Sequence, residues 1–357
     1  GPLGGGGDFR VCARYHPQDV MAHRSILYIE LDGDETHTVP LFGRGTDISD
    51  QTDVFHQPDQ VRADVLFVID CSGSMGGDQQ NLADNFEAFI DWAHTLEVDF
   101  HLGVIATEVQ DNPGMTGDPP RQVHPGELVE VSGRPKIITN NTPELLEAFR
   151  DLIRLGDDCS NTEAGLEAAW MALSQPLVDD PAINGGFLRE DAKLYIICVS
   201  DEVDQSRGSA DFYVDFFFSI KGYRNTEMMA VSAICGDCPD GCTRPNGDGA
   251  QCGGRYNDVA ARTGGIFESI CTDDWNQSLQ NLGIDAFAAI REFPLSRPAD
   301  PGTITVTVNG DPVGQASQPG AADGWTHYAD TNTIYFGDDV VPDKGDRIEV
   351  SYTAQCL

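Results

Sequence analysis

Asp64-Val65-Leu66-Phe67-Val68-Ile69-Asp70-Cys71-Ser72-Gly73-Ser74-Met75 is the stretch on which the fold turns. Val65 to Ile69 form an unbroken apolar run, the pattern of a strand buried on both faces of a parallel sheet. The run stops at Asp70, and hydroxyls follow at alternate positions, Ser72 and Ser74, on a tight turn. Open α/β sheets bind ligands beyond the carboxyl ends of their strands. Three oxygen-bearing side chains on such a turn converge on one point.

Outward from this strand, apolar and amphipathic segments alternate. Leu82, Phe86, Phe89, Ala93 and Leu96 recur at spacings of three and four, which predicts one face of a helix. His101 to Ala106 reads as a strand, residues 108–136 as a Pro- and Gly-rich inserted loop or hairpin, 143–155 and 162–174 as helices, and Leu194 to Val199 and Met229 to Ile234 as buried strands. This alternation over 61–293 predicts an α/β domain with a doubly wound, mostly parallel sheet flanked by helices.

The flanks differ. Phe9 to Tyr15, Ser25 to Leu31 and Thr36 to Phe42 read as strands in a β-segment spanning 9–46, and 47–60 lacks periodicity and reads as a linker. In 294–357, Thr303 to Val308 runs into an Asn309-Gly310 turn, and Thr333 to Phe336 and Arg347 to Tyr352 follow as strands. Neither flank buries enough surface to fold alone. The expectation is therefore one small β-sandwich built from both, with the α/β block inserted and Cys12 bridged to Cys356. Residues 1–8, opening Gly1-Pro2-Leu3-Gly4, read as a tag remnant and linker.

Among 357 residues, Asp and Glu number 58 against 22 Lys and Arg, a formal net charge of −36. Such a surface repels phosphate backbones and anionic lipid, which speaks against nucleic-acid partners and membrane-surface binding. No apolar run approaches the roughly 18 to 20 residues of a membrane span, so direct membrane insertion is not expected. Ten cysteines without a redox motif in a catalytic setting point to disulfides and to an extracytoplasmic place, secreted or on the cell surface.

Asp70-x-Ser72-x-Ser74 after a buried strand resembles the opening loop of the metal-ion-dependent adhesion site of the von Willebrand factor A, or integrin I-type, domain. Two further loops match in order. Gly156-Asp157-Asp158-Cys159-Ser160-Asn161-Thr162-Glu163-Ala164-Gly165-Leu166 stands where the family places a threonine; Ser160 falls at that position by distance to Gly165, and Thr162 competes for the role. Asp201, ending Cys198-Val199-Ser200-Asp201, matches the family's second aspartate, with Glu202 and Asp204 close behind. The resemblance covers roughly 61–293. It implies Asp70, Ser72, Ser74, Ser160 or Thr162, and Asp201 as metal ligands. All are hard oxygens, which favours Mg²⁺ or Mn²⁺ and admits Ca²⁺. It further implies an exchangeable coordination position for the carboxylate of a partner protein or surface ligand, hence adhesion without chemistry, and a possible shift of the last helix near 274–291. The competing expectations are a cytosolic chaperone-type module coupled to an ATPase, and a structural scaffold whose metal only stabilises it.

Weaker signals remain. Cys235, Cys238, Cys242 and Cys252 suit a disulfide-stapled loop better than a zinc site. Cys71 and Cys159, each beside a proposed ligand, are either bridged or free. Phe212, Tyr213, Phe216, Phe217 and Phe218 read as core, with partner binding the alternative. The acidic turns at Asp32-Gly33-Asp34 and Asn246-Gly247-Asp248-Gly249 complete no Ca²⁺-loop signature. The histidines show no paired spacing and no nucleophile elbow is present, so an enzyme is not expected. Residues 11–45 resemble the closing strands of the immunoglobulin-like domain named after abnormal-spindle proteins. Gly186-Phe187-Leu188-Arg189 together with Val199 to Glu202 is similar to von Willebrand A proteins on predatory and gliding bacteria.

Overall fold

In the computed structural model the described residues are 22–31, 35–44, 49–110, 112–116, 121–159, 162–222 and 226–355. The strand expected at Phe9 to Tyr15, the turn at Asp32-Gly33-Asp34, the Cys12–Cys356 bridge and Ser160 lie outside them. The chain divides into two compact units, one of residues 59–290 and one of residues up to 58 together with 291–357.

The decisive apolar run is strand β1 (Arg62–Ile69), followed by helix α1 (Gly76–Thr95), β2 (Asp99–Ala106), β3 (Ile138–Thr139), α2 (Leu145–Ile153) and α3 (Gly165–Ala172). Then come β4 (Lys193–Ser200), α4 (Ala210–Lys221), β5 (Met229–Cys235), α5 (Gly254–Thr263), β6 (Phe267–Ser269) and α6 (Trp275–Phe287). They build one six-stranded sheet in the order β6-β5-β4-β1-β2-β3. The first five strands of that order run parallel and β3 pairs antiparallel with β2, so the sheet is mixed. Residues 108–136 carry a short hairpin, Asn112–Thr116 with Arg121–Val123.

Successive side chains of a strand point to opposite faces, and both faces of β1 are buried. Val65, Phe67 and Ile69 pack with apolar residues of α1, α2 and α6, whereas Leu66 and Val68 pack with those of α3, α4 and α5. Continuous hydrophobicity in the sequence follows directly from helices on both sides. Gly283 lets α6 lie hard against α1, since a Cβ there would sit 2.5 Å from the Phe89 carbonyl oxygen. β1 is also where the strand order reverses: its chain successor β2 lies on one side and β4 on the other. The loops leaving β1 and β4 therefore diverge and leave a crevice at their carboxyl ends.

The second unit holds antiparallel sheets. Asp311–Val313, Thr305–Val308, Arg347–Thr353 and Asp50–His56 form a four-stranded sheet, and Glu292–Pro294, Thr333–Phe336 and Trp325–Tyr328 a three-stranded one. Phe55 from the first and Phe336 from the second both pack on Phe293. The stretch 47–60, expected as a linker, thus contributes a full strand paired with Arg347–Thr353. Hydropathy hides it because its one buried position is Asp53 and Val54 is exposed. Ala22–Leu31 and Glu35–Arg44 form a hairpin that, among the described residues, pairs only with itself.

Candidate metal centre

Asp70 sits at the carboxyl end of β1, fully buried. Its Oδ1 accepts the Ser72 backbone N–H at 2.8 Å and its Oδ2 accepts the Ser200 hydroxyl at 2.6 Å, which ties the β1 loop to the end of β4. Burial pushes the carboxyl up to about 6, against the pull of the Ser200 and Ser72 hydrogen bonds and with the help of Asp201's negative charge. A nearby cation favours the ionised form. Ser72 and Ser74 hold their hydroxyl oxygens 3.5 Å apart, Ser72 buried and Ser74 exposed, so the turn is reachable from solvent.

Residues 156–159 are fastened to this turn by a disulfide, by Gln79 and by the Cys159 N–H, which donates to the Cys71 carbonyl at 3.2 Å. A disulfide joins Cys71 to Cys159, the bridged alternative of the two expected. Gln79, buried in the first turns of α1, donates to the carbonyls of Asp70 and Gly156, each at 2.9 Å, and accepts from Gly156 N–H at 3.0 Å. Thr162 is half-buried in the segment leading into α3. Beside it Glu163 is fully buried: Oε2 accepts from the Gln205 side chain at 2.7 Å, and Oε1 has no hydrogen-bond partner among the described residues. Burial together with the charges of Asp70 and Glu202 pushes its carboxyl up to about 7. Gly165 allows the close approach that starts α3, where a Cβ would lie 2.6 Å from the Tyr256 hydroxyl.

Asp201 closes the group from the end of β4. It is buried, its Oδ2 accepts from Arg244 at 2.5 Å, and among the described residues its Oδ1 has no hydrogen-bond partner. Arg244 also pairs with Asp78 in the first turn of α1 and donates to the Ser74 carbonyl at 3.3 Å and the Gly249 carbonyl at 2.8 Å. Burial pushes Asp78 up to about 6 although the guanidinium opposes it. Among the described residues no three His, Cys, Asp or Glu side chains converge on one point. A cation here must therefore draw on serine hydroxyls and water as well as carboxylate. The donors fit a hard ion: every candidate oxygen is hydroxyl or carboxylate, and two buried carboxylate oxygens, on Asp201 and Glu163, lack a donor of their own.

Four residues at this centre carried no separate signal in the sequence. Gln79 and Asp78 sit in the first turn of an amphipathic helix, Glu163 inside the loop read for hydroxyls, and Arg244 in a loop read for its cysteines. Only a single Arg between Cys242 and Pro245, in a chain so acidic, was a clue. That loop is stapled by Cys238–Cys252 and fixed to the start of α6 by Cys242–Cys271, while Cys235 and Cys198 are free, buried thiols. With three of its four cysteines bridged, the loop has no thiolate set for zinc. The aromatic cluster on α4 is core: Tyr213 and Phe217 are fully buried, and Phe212, Phe216 and Phe218 pack against the same apolar cluster. No helix of the described residues is long and apolar enough to cross a membrane.

No protein-family profile and no curated protein matches this sequence. Solved structures with a similar arrangement include proximal thread matrix protein 1 from the mussel byssus, at TM-score 0.39 and 14% identity over 68% of this chain and 51% of that one. BatB from Bacteroides thetaiotaomicron aligns at TM-score 0.36 and 15% identity, over 64% of this chain and 98% of that one. The pilus adhesin SpaC from Lactobacillus rhamnosus GG aligns at TM-score 0.37 and 11% identity, over 94% and 43%. The aligned part spans about half the length of the mussel protein.

Proposed function

We propose that this chain is a binding module that works outside the cell and grips a carboxylate of a partner protein or surface ligand through a divalent cation. The reading takes the α/β unit as a doubly wound von Willebrand A domain and Asp70, Ser72, Ser74, Asp201 and Thr162 or Ser160 as the ion's ligands. The single observation that carries it is the buried, donor-free Asp201 Oδ1 in the same cluster as the paired Ser72 and Ser74 hydroxyls. A buried carboxylate oxygen with no donor is costly unless something positive completes it.

Hydroxyls and few carboxylates suit Mg²⁺ or Mn²⁺ better than a Ca²⁺ cage. The ion would supply Lewis acidity toward an incoming carboxylate; Ser72 and Ser74 would hold it, and Asp70 would orient Ser72 through the backbone N–H it accepts. The cluster contains no activated nucleophile, so the proposed role is recognition without turnover. Three disulfides among the described residues, one of them inside the site, favour an oxidising compartment and speak against the cytosolic chaperone alternative. Calorimetric titration with Mn²⁺ tests the reading. Heat of binding in the wild type that vanishes in Asp70→Ala is expected, and equal binding by the two proteins rejects the ligand set.

A further inference from the structure

Arg244 is the one cation placed among the acids of this centre by the described contacts, and its surroundings are unusual. Its side chain is 4% exposed, both terminal nitrogens are engaged by carboxylates, and its Nε is buried without a hydrogen-bond partner. A buried Arg so held is a strong local charge that cannot be relieved by losing a proton. It reaches the centre from a loop built for the purpose. Cys242–Thr243 pair with Gly249–Ala250, the Cys238–Cys252 bridge closes the base, and Arg244 N–H donates to the Asp248 carbonyl at 2.8 Å. The Asp201 carbonyl accepts from Gln251 N–H at 2.7 Å, which fastens the same loop to the β4 end.

Resting on the divalent-cation reading above, we propose that Arg244 is the protein's resident cation: its guanidinium holds Asp201 and Asp78 when no divalent ion is bound, and an arriving ion must compete with it for Asp201. Two positive charges sharing one aspartate repel each other strongly at low dielectric. The affinity of the centre for a divalent ion is therefore set partly by how firmly the stapled loop presents Arg244. The guanidinium has somewhere to go. A cleft of about 480 Å³ opens beside it, lined by Gly77, Asp78, Asn81, Pro245, Asp273 and Trp275, so that Asp273 adds an acidic side chain to its wall besides Asp78. Without Arg244, Asp78 and Asp201 would be left buried and unpaired in the metal-free protein, which is strongly destabilising.

The test combines Mg²⁺ titration calorimetry with melting curves in EDTA on the whole chain. Arg244→Gln is expected to melt roughly 10 °C below wild type without metal and to bind Mg²⁺ about tenfold more tightly. Arg244→Lys, which keeps the charge, is expected to bind within about threefold of wild type. Binding by Arg244→Gln that is equal to or weaker than wild type overturns the proposal while leaving the metal centre standing. Binding by that variant alone supports it, because the guanidinium then replaces the ion outright. If neither protein binds Mg²⁺, the metal centre fails and the proposal falls with it. Should Arg244→Gln not fold even with Mg²⁺, the pair Cys238→Ser and Cys252→Ser loosens the loop instead; several-fold tighter Mg²⁺ binding supports the proposal and unchanged or weaker binding overturns it.

Discussion

Two buried aspartates, one in each unit, are finished differently. Asp53 in the β unit has both oxygens fully used: Ser296 N–H and the Tyr352 hydroxyl donate to Oδ2 at 2.7 and 2.8 Å, and the Ser296 hydroxyl and Gln51 amide to Oδ1 at 2.7 and 3.1 Å. Burial raises this carboxyl, but the four hydrogen bonds outweigh burial and hold it below its ordinary value. Asp201 in the α/β unit has one oxygen on Arg244 and, among the described residues, no hydrogen-bond partner for the other. A satisfied carboxylate is a structural pin; the unsatisfied one, among other acids and two serines, is where the proposed ion would sit.

The largest effect expected bears on how the open side of this comparison is kept in place. Replacing Cys71 and Cys159 together by Ser removes a bridge across a sequence separation of 88, and chain entropy puts the loss at about 4.5 kcal/mol. Denaturant melts of the double variant measure it, and a loss under about 1 kcal/mol would mean that the hydrogen bonds of Gln79 and of the Cys159 N–H suffice to hold the two loops. Next, Asp53→Ala strands the Ser296 and Tyr352 donors and should cost roughly 3 kcal/mol, read as faster hydrogen exchange in Arg347–Thr353, with Mn²⁺ binding unchanged. Asp201→Asn should show the opposite balance. Asn still accepts from Arg244, so stability falls by only about 1 to 2 kcal/mol, while Mn²⁺ binding weakens more than about tenfold.

How much of this contrast the sequence disclosed depended on the kind of residue. The α/β unit was legible because β1 carries its burial on both faces as an unbroken apolar run, and the placement of Asp70, Ser72, Ser74 and Asp201 just past the ends of β1 and β4 was legible because they follow such runs directly. The strand Asp50–His56 was not, since its only buried side chain is a charged one whose partners, Ser296 and Tyr352, lie more than two hundred residues away. Arg244 and Gln79 escaped for the same reason: their contacts are long-range, and a polar residue in a loop or on a helix looks solvated until its partner is placed. Ser160, the alternative to Thr162, lies outside the described residues.

The smallest effect expected is a pH dependence. The Asp53 carboxyl lies lower in the folded protein than in the unfolded chain, so its contribution is complete above its ordinary value near 4 and is lost as the pH falls through the lower folded value. Hydrogen exchange in Arg347–Thr353 should accelerate, after correction for intrinsic rates, as the pH falls below the ordinary carboxylate value of about 4. The same acceleration in Asp53→Asn would assign the effect to another group and remove Asp53 from the comparison.

The central claim, that Asp201 is open because a divalent ion belongs beside it, is tested most directly by a crystal structure of the protein grown with Mn²⁺ and recorded at a wavelength where manganese scatters anomalously. The account predicts one strong anomalous peak bounded by the Ser72 and Ser74 hydroxyls and the carboxylate side of Asp201, with Arg244 drawn back from Oδ2. An ordered structure with no peak there, and with Arg244 still seated between Asp78 and Asp201 at millimolar Mn²⁺, would contradict it.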